Sequence, residues 1–212
     1  MNGPGRVARL RGGLEKMIGA LKADYETQCD FDSRYGGRPG EKPSLVGDTF
    51  KRVGLQVTMA YRVMQFLHES GVPLAPQVVS RLIRHAYGSD IHWKAQIDPG
   101  VMVVHGMGMA ISPAAKIGPG VLLFQNVTLG SGVHPETREV GAPTIEHDVH
   151  IGPGAVIIGP VTIGARSKIM ANCVVTRSVP PDSLVEAPPP NVRSRVAARA
   201  AKSPEAASRG TR

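Results

Sequence analysis

The sequence predicts an α+β protein in which an N-terminal α-helical domain is followed by a left-handed parallel β-helix carrying one protruding loop. Three observations lead there. Ile145, Ile151, Ile157, Ile163, Ile169 and Val175 recur at every sixth residue. Small or short residues (Val149, Ala155, Val161, Ser167 and Cys173) stand four places after successive aliphatics, and Gly152 and Gly164 directly follow two of the isoleucines. Ahead of residue 89 the apolar spacing is helical instead. Each six-residue unit of such a repeat is a short strand and a turn, three units close a triangular coil, and the recurring aliphatic points inward onto the coil beneath. A sandwich strand would alternate by two, and that alternation is missing.

The helical domain is expected over residues 1–88. Residues 12–25 read as a short amphipathic helix with Leu14, Met17, Ile18 and Leu21 on one face. Asp30 to Ser44, with Gly36, Gly37, Pro39, Gly40 and Pro43, reads as a loop. A second helix should begin near Leu45 to Thr49 and run to about Glu69 through Phe50, Val53, Val57, Ala60, Tyr61, Met64 and Leu67, with Gly71 ending it. A third, about Pro76 to Tyr87, carries Val79, Leu82 and Ile83 and is bounded by Pro73, Pro76 and Gly88. The β-helix is expected over 89–185. Residues 186–212 form a C-terminal extension, and from Ser194 onward its basic tail has the composition of a disordered end.

The composition suits this reading. A chain of 212 residues can bury one good core, or one core with a smaller attached domain. Aromatics make up 4% against 25 glycines and 18 prolines, as expected for aliphatic coils with turn residues at their corners. No run of 18 apolar residues occurs, and the opening MNGPGRVARLRGG lacks the apolar core of a signal peptide, so a soluble cytoplasmic chain with no membrane partner is expected. Cys29 and Cys173 stand far apart and are expected to remain unpaired thiols in a reducing compartment. The net charge of +8 divides into +5 over residues 191–212 and +3 over residues 1–25. The rest of the chain balances near zero, so no nucleic-acid partner is expected.

The six-residue period starts with Ile91, Ile97 and Val103 and continues through Ile111, Ile117, Leu123 and Leu129, and it is broken twice. Val103 to Ile111 is a spacing of eight, which inserts two residues at the stretch HGMGMA that begins with His105. Leu129 to Ile145 is a spacing of sixteen, which puts ten extra residues, with His134 among them, into a loop. Coils of a solenoid only stack, so function is expected where the chain leaves them.

The segments DIHWKAQIDPGVMVVHGMGMAIS and GVLLFQNVTLGSGVHPETREVGAPTIEHDVHIGPGAVIIGPVTIG resemble the catalytic half of the serine acetyltransferase family of hexapeptide acyltransferases, from residue 89 to about 185. The resemblance implies an acetyl-CoA-dependent O-acetyltransferase, with His105 as general base, Asp90 orienting it and His134 at the active site on the loop. It also implies a homotrimer, or a dimer of trimers, with sites between subunits. Coenzyme A would follow Gly130, Ser131, Pro153, Lys168 and Ala171. The chemistry agrees with these roles. An alcohol attacking a thioester needs a base with a near-neutral pKa, which imidazole supplies, and a carboxylate on the other ring nitrogen fixes its tautomer. The developing oxyanion would be met by a backbone N–H or by His134, and no covalent acyl-enzyme is needed when both substrates are held together. Asp90 also reads as a plain turn residue and His134 as a solvated loop residue. His92, His147 and His150 read as surface, with no cysteine or acidic cluster to complete a metal site.

The chain departs from the family pattern where the amino acid is recognised. An Asp before the base is here Val104, an Arg before the loop histidine is here Val133, and the loop is about six residues shorter. Val104 and Val133, taken as acceptor-binding positions, would leave a zwitterion unpaired at a cost of about 1 to 3 kcal/mol per polar group. The acceptor expected on this ground is a less charged hydroxyl compound, such as a sugar or secondary metabolite. The alternative is serine O-acetyltransferase in cysteine biosynthesis, and a third reading is a catalytically silent scaffold. Family members that dock into the next enzyme of cysteine synthesis end in isoleucine, whereas this chain ends in Gly210-Thr211-Arg212, so no such complex is expected.

Overall fold

A computed structural model describes residues 4–35, 44–189 and 191. Four helices come first: α1 (Pro4–Tyr35), α2 (Leu45–Lys51), α3 (Val53–Glu69) and α4 (Ala75–Tyr87). Helix α1 is longer than its apolar pattern predicts and takes in residues 30–35 of the expected loop. Its last turns are tied by i,i+4 contacts, Arg34 to Asp30 at 2.8 Å, Gln28 to Asp32 at 3.2 Å and the Phe31 and Tyr35 rings at 4.6 Å. Its inward face also differs from the expected one. Ala20, Asp24 and Gln28 are buried while Leu14 and Ile18 stay exposed. The expected second helix is two helices, broken at Arg52, whose extended backbone (φ −120°) frees its guanidinium for both oxygens of Asp32 at 3.1 and 2.7 Å. Phe50, which belongs to that apolar spacing, is exposed on α2. Helix α4 matches its expected bounds to within one residue and ends at Gly88, whose φ of 65° is the left-handed conformation that glycine supplies at a helix C-terminus. The C-terminal tail expected from Ser194 lies outside the described residues.

From Asp90 the chain winds as the predicted β-helix. The first coil has β1 (Asp90–Ile91), β2 (Gln96–Ile97) and β3 (Met102–Val103), and the second has β4 (Ala110–Ile111), β5 (Lys116–Ile117) and β6 (Leu122–Leu123). Next come β7 (Thr128–Gly130), the loop strands β8 (Gly132–Val133) and β9 (Val140–Gly141), then β10 (Thr144–Ile145) and β11 (His150–Ile151). The upper coils hold β12 (Val156–Ile158), β13 (Thr162–Ile163), β14 (Lys168–Ile169), β15 (Val174–Val175) and β16 (Leu184–Val185). Pairing is parallel and in phase on three faces: β1-β4-β7-β12-β15, β2-β5-β10-β13 and β3-β6-β11-β14-β16. On the first face Ile91, Ile111, Leu129, Ile157 and Val175 therefore stack in one column. Each is buried, a contribution of about 1.5–3 kcal/mol per side chain. Every coil must also turn through a left-handed residue, which accounts for positive φ at Asn126, Asp148 and Asn172, residue types that tolerate it.

The first coil has no coil beneath it, so its edge carbonyls and amides need other partners. The helices supply them. Tyr61 Oη donates to the Ala95 carbonyl at 2.6 Å, and Arg62 donates to the carbonyls of Ile97 and Asp98 at 2.6 and 2.8 Å. The same guanidinium holds Asp24 through two bonds of 2.8 and 2.9 Å, and Asp24 Oδ1 accepts from the amides of Gly100 and Val101. The side chains of Arg62 and Asp24 are only 2% and 1% exposed, so the pair endures burial only because every polar atom is matched. The buried polar face of α1 thus serves to seat the helices on the coil.

Candidate functional site

The first break in the period becomes a bulge between β3 and β4. Val104 still donates its amide to the Leu123 carbonyl at 2.9 Å, and the chain then leaves the coil at His105. Gly106 and Gly108 have φ of 68° and 66°, which makes the excursion possible. Three contacts fix its shape. Ser89 Oγ, on a residue 1% exposed, donates to the Gly106 carbonyl at 2.6 Å and accepts from the Met109 amide at 3.2 Å. The Gly108 amide donates to the Tyr87 carbonyl at the end of α4. Helix α3 abuts the bulge so closely that a Cβ on Gly54 would lie 1.9 Å from the Val103 carbonyl oxygen, and one on Gly106 would lie 2.9 Å from the Gly54 Cα. On this platform the His105 side chain is exposed, with its ring edge-on to Phe124 at 6.4 Å.

Asp90 lies beside the bulge, its amide donating to the Met109 carbonyl at 2.7 Å. Its carboxylate is not hydrogen-bonded to His105. Asp90 Oδ1 instead accepts from Arg84 Nη2, in the last turn of α4, at 2.6 Å, with both side chains about half exposed.

The second break is a short antiparallel hairpin, β8 paired with β9, that stands off the coil. Its base is pinned by close approach: a Cβ on Gly132 would lie 2.5 Å from Ile158 Cγ2, and one on Gly141 would lie 2.8 Å from Pro160 Cβ. His134 sits at the turn, where its Nδ1 accepts from the amides of Glu136 and Thr137 at 3.3 and 3.2 Å. A neutral ring held this way carries its proton on Nε2, as a donor. Val133 is half exposed beside it.

Of the positions expected along coenzyme A, Gly130 and Ser131 open the hairpin, and Ser131 Oγ meets Ser112 Oγ at 2.6 Å. Pro153 and Ala171 stand elsewhere. Register between β6, β11 and β14 aligns Leu123, Ile151 and Ile169, so Gln125, Pro153 and Ala171 share one corner column, and Met107 stands beneath them because His105 and Gly106 are the two inserted residues. Lys168 is exposed on the third face, paired in register with His150. His150 is half-buried rather than fully on the surface, and burial, with Lys168 nearby, holds its pKa below the ordinary histidine value. His105 and His134 thus lie at opposite edges of the first face, the one entering β4 and the other leaving β7. No hydrogen bond or ring contact joins them among the described residues.

Several residues of the site carry no signal in the sequence motifs. Ser89 and Arg84 act through neighbours that only the packing of α4 against the first coil supplies. Gly54 had a sign, because a lone glycine inside a helical pattern usually marks a close approach.

A coil of hexapeptide repeats interrupted by a histidine bulge and a histidine hairpin defines a hexapeptide-repeat transferase. Residues 142–177 match the family described as bacterial transferase hexapeptide (six repeats). The chain belongs to the serine acetyltransferase family. It is 34% identical over 177 residues to a serine acetyltransferase of Mycobacterium tuberculosis, covering 83% of this chain and 73% of that one. It is 36% identical over 133 residues to one from Synechococcus elongatus, covering 62% and 53%, so it spans about half the length of that relative. Among solved structures, serine acetyltransferase isoform 3 of Entamoeba histolytica, in complex with cysteine, superposes with a TM-score of 0.71 at 27% identity over 93% of this chain and 68% of that one. No helix among the described residues is long and apolar enough to cross a membrane.

Proposed function

We propose that the protein is an acetyl-CoA-dependent O-acetyltransferase and that its acceptor is the hydroxyl of serine. The likeness to serine acetyltransferases over most of the chain supports serine more strongly than the neutral acceptor expected from Val104 and Val133. The observation that carries the reading is the buttressed bulge, which spends Ser89, Gly54, Gly106 and the end of α4 on presenting one exposed imidazole. His105 takes the proton of the hydroxyl as its oxygen attacks the thioester carbonyl. The tetrahedral intermediate then collapses, expelling the coenzyme thiolate, which receives that proton back from His105. The Nε2–H of His134, fixed by its turn, is suited to donate to the oxyanion. Because the two histidines stand at opposite edges of one face, the reading includes a trimer in which His105 of one chain faces His134 of its neighbour.

One observation favours a second reading. Val104 and Val133 put apolar side chains where a zwitterion needs charge, and Val133 is 50% exposed on the hairpin with no charged side chain in its place. A neutral hydroxyl acceptor would avoid that cost. The test is thiol release from acetyl-CoA with L-serine and with neutral alcohols in parallel. Saturable turnover at low millimolar serine is the expected result, whereas a kcat/KM for serine about 10²-fold below that of a neutral alcohol would transfer the assignment to the second reading.

A further inference from the structure

An amino-acid acceptor carries a carboxylate and an ammonium group, and each needs an opposite charge once water is excluded from the site. Val104 and Val133 supply neither, so the partners have to stand elsewhere beside the two histidines. On the bulge side Arg84 is matched to Asp90, and at the hairpin tip Arg177 is matched to Glu136. Arg138, also in the hairpin, pairs with no carboxylate among the described residues. The side chain of Glu139, the next residue, has no partner among them either, Arg138 included. Arg81 is unpaired too, but it sits on α4 a turn before Arg84, and so farther from the Tyr87 carbonyl that meets the bulge.

An exposed charge is ordinarily just solvated, and both of these are exposed. Their place in the hairpin sets them apart. Val133 pairs with Val140, and the next pair outward is His134 with Glu139, joined by a bond of 2.7 Å from the His134 amide to the Glu139 carbonyl. Residues directly opposite one another in an antiparallel pair share a face, and successive residues alternate, so Glu139 goes with His134 while Val133 and Val140 take the other face. Arg138 donates its amide to the His134 carbonyl at 3.1 Å. Its φ of 61° is a left-handed conformation in which glycine or asparagine is at ease and a long side chain is not. The turn thus holds an arginine where its backbone disfavours one, bonded to the histidine whose Nδ1 is already committed to the same turn, and such outliers collect at ligand-binding sites.

We propose that Arg138 and Glu139 recognise the acceptor: the Arg138 guanidinium takes its carboxylate through two parallel N–H donors, the Glu139 carboxylate takes its ammonium, and its hydroxyl is left to the histidines. The turn that fixes the His134 ring then also sets the acceptor's orientation. Val133, on the other face of the hairpin, is not asked to carry charge, and its apolar side chain no longer counts against serine. The inference rests on serine being the acceptor and assigns the groups that select it.

The experiment compares kcat/KM for L-serine, for L-serinamide, which lacks the carboxylate, and for 3-hydroxypropionate, which lacks the amine. The proteins are wild type, Arg138→Asn, Arg138→Lys, Glu139→Gln and Arg81→Gln, asparagine being chosen because it suits the left-handed backbone and removes the charge without straining the turn. Arg138→Asn should cut the preference for serine over serinamide by about 10- to 10²-fold, through KM for serine, and leave the preference over 3-hydroxypropionate in place. Glu139→Gln should do the converse. Arg138→Lys should regain part of the loss, as a point charge without the planar fork, and Arg81→Gln should move neither ratio. Unmoved ratios in Arg138→Asn and Glu139→Gln, with all three acceptors slowed together, would mark a merely distorted hairpin and overturn the proposal. Ratios unmoved with no slowing, in an enzyme whose wild type selects serine, would overturn it too and leave the serine reading standing. A wild type that uses the analogues as well as serine would overturn the serine reading and the proposal with it.

Discussion

The two excursions from the coil are built in opposite ways. The His105 bulge rests on a helix through glycine contact and is closed by a buried hydroxyl that bonds both its ends. The His134 hairpin packs on the coil at its glycine base, reaches it at the tip through an exposed ion pair, Glu136 with Arg177, and leaves Val133 and Val140 exposed. The rigid excursion can hold a base at hydrogen-bonding tolerance within one chain. The exposed one fixes the tautomer of its histidine locally but leaves the placement of the ring to whatever packs against the hairpin. A division of that kind suits a site assembled between subunits, where one wall is prefabricated and the other is set by assembly.

The largest effect should separate the two histidines. His105→Ala should lower kcat by about 10²- to 10⁴-fold with little change in acetyl-CoA binding, and His134→Ala by about 10²- to 10³-fold as the loss of one oxyanion donor. Steady-state rates with binding measured by calorimetry decide it, and full activity in His105→Ala would remove the base from the bulge. Mixing the two variants sharpens the comparison. Hybrid trimers should regain part of the activity, and none regained after verified subunit exchange would place both histidines in one chain's site.

Next in size are changes to the buttress. Gly54→Ala puts a methyl 1.9 Å from the Val103 carbonyl, so α3 must move off the bulge, at about 1–3 kcal/mol in chemical unfolding. Ser89→Ala strips the Gly106 carbonyl and the Met109 amide of a shared buried partner and should cost a similar amount, about 1–3 kcal/mol. Both should reduce kcat beyond what lost stability explains, because His105 loses its platform. Val140→Ser on the hairpin should stay within about 0.5 kcal/mol. Equal losses in all three would mean that the bulge is no more specified than the hairpin.

What the sequence disclosed follows the same division. The inward aliphatics from Ile91 to Val175 were legible because one rule, repeated every coil, decides each of them. Both histidines were legible because they fall where that rule fails. The helices were less so. The apolar pattern puts Leu14 and Ile18 on one face of α1, but the coil edge beneath needs hydrogen-bond partners, and Asp24 and Thr27 supply them there. Arg52 broke the expected second helix for a partner, Asp32, twenty residues away in the chain. The family resemblance implies Asp90 as the partner of His105, whereas the Arg84 that occupies its carboxylate comes from the preceding helix, beyond the reach of any periodic argument.

The smallest effect concerns an ion pair that links the hairpin tip to the coil, Glu136 with Arg177 at 3.6 Å, both side chains more than 70% exposed. Pairs this open are worth about 0–1 kcal/mol, since water and salt screen them and two long side chains must be ordered. Glu136→Gln should therefore shift Tm by no more than about 4 °C. Its functional effect should be read against salt. If the pair helps to aim the hairpin, wild-type activity should fall as ionic strength rises, and the variant should start lower and respond less. A bulge variant such as Ser89→Ala should keep the wild-type salt response, because hydrogen bonds, not exposed charges, set its geometry. Parallel salt curves for wild type and Glu136→Gln would show that the hairpin is placed without this pair.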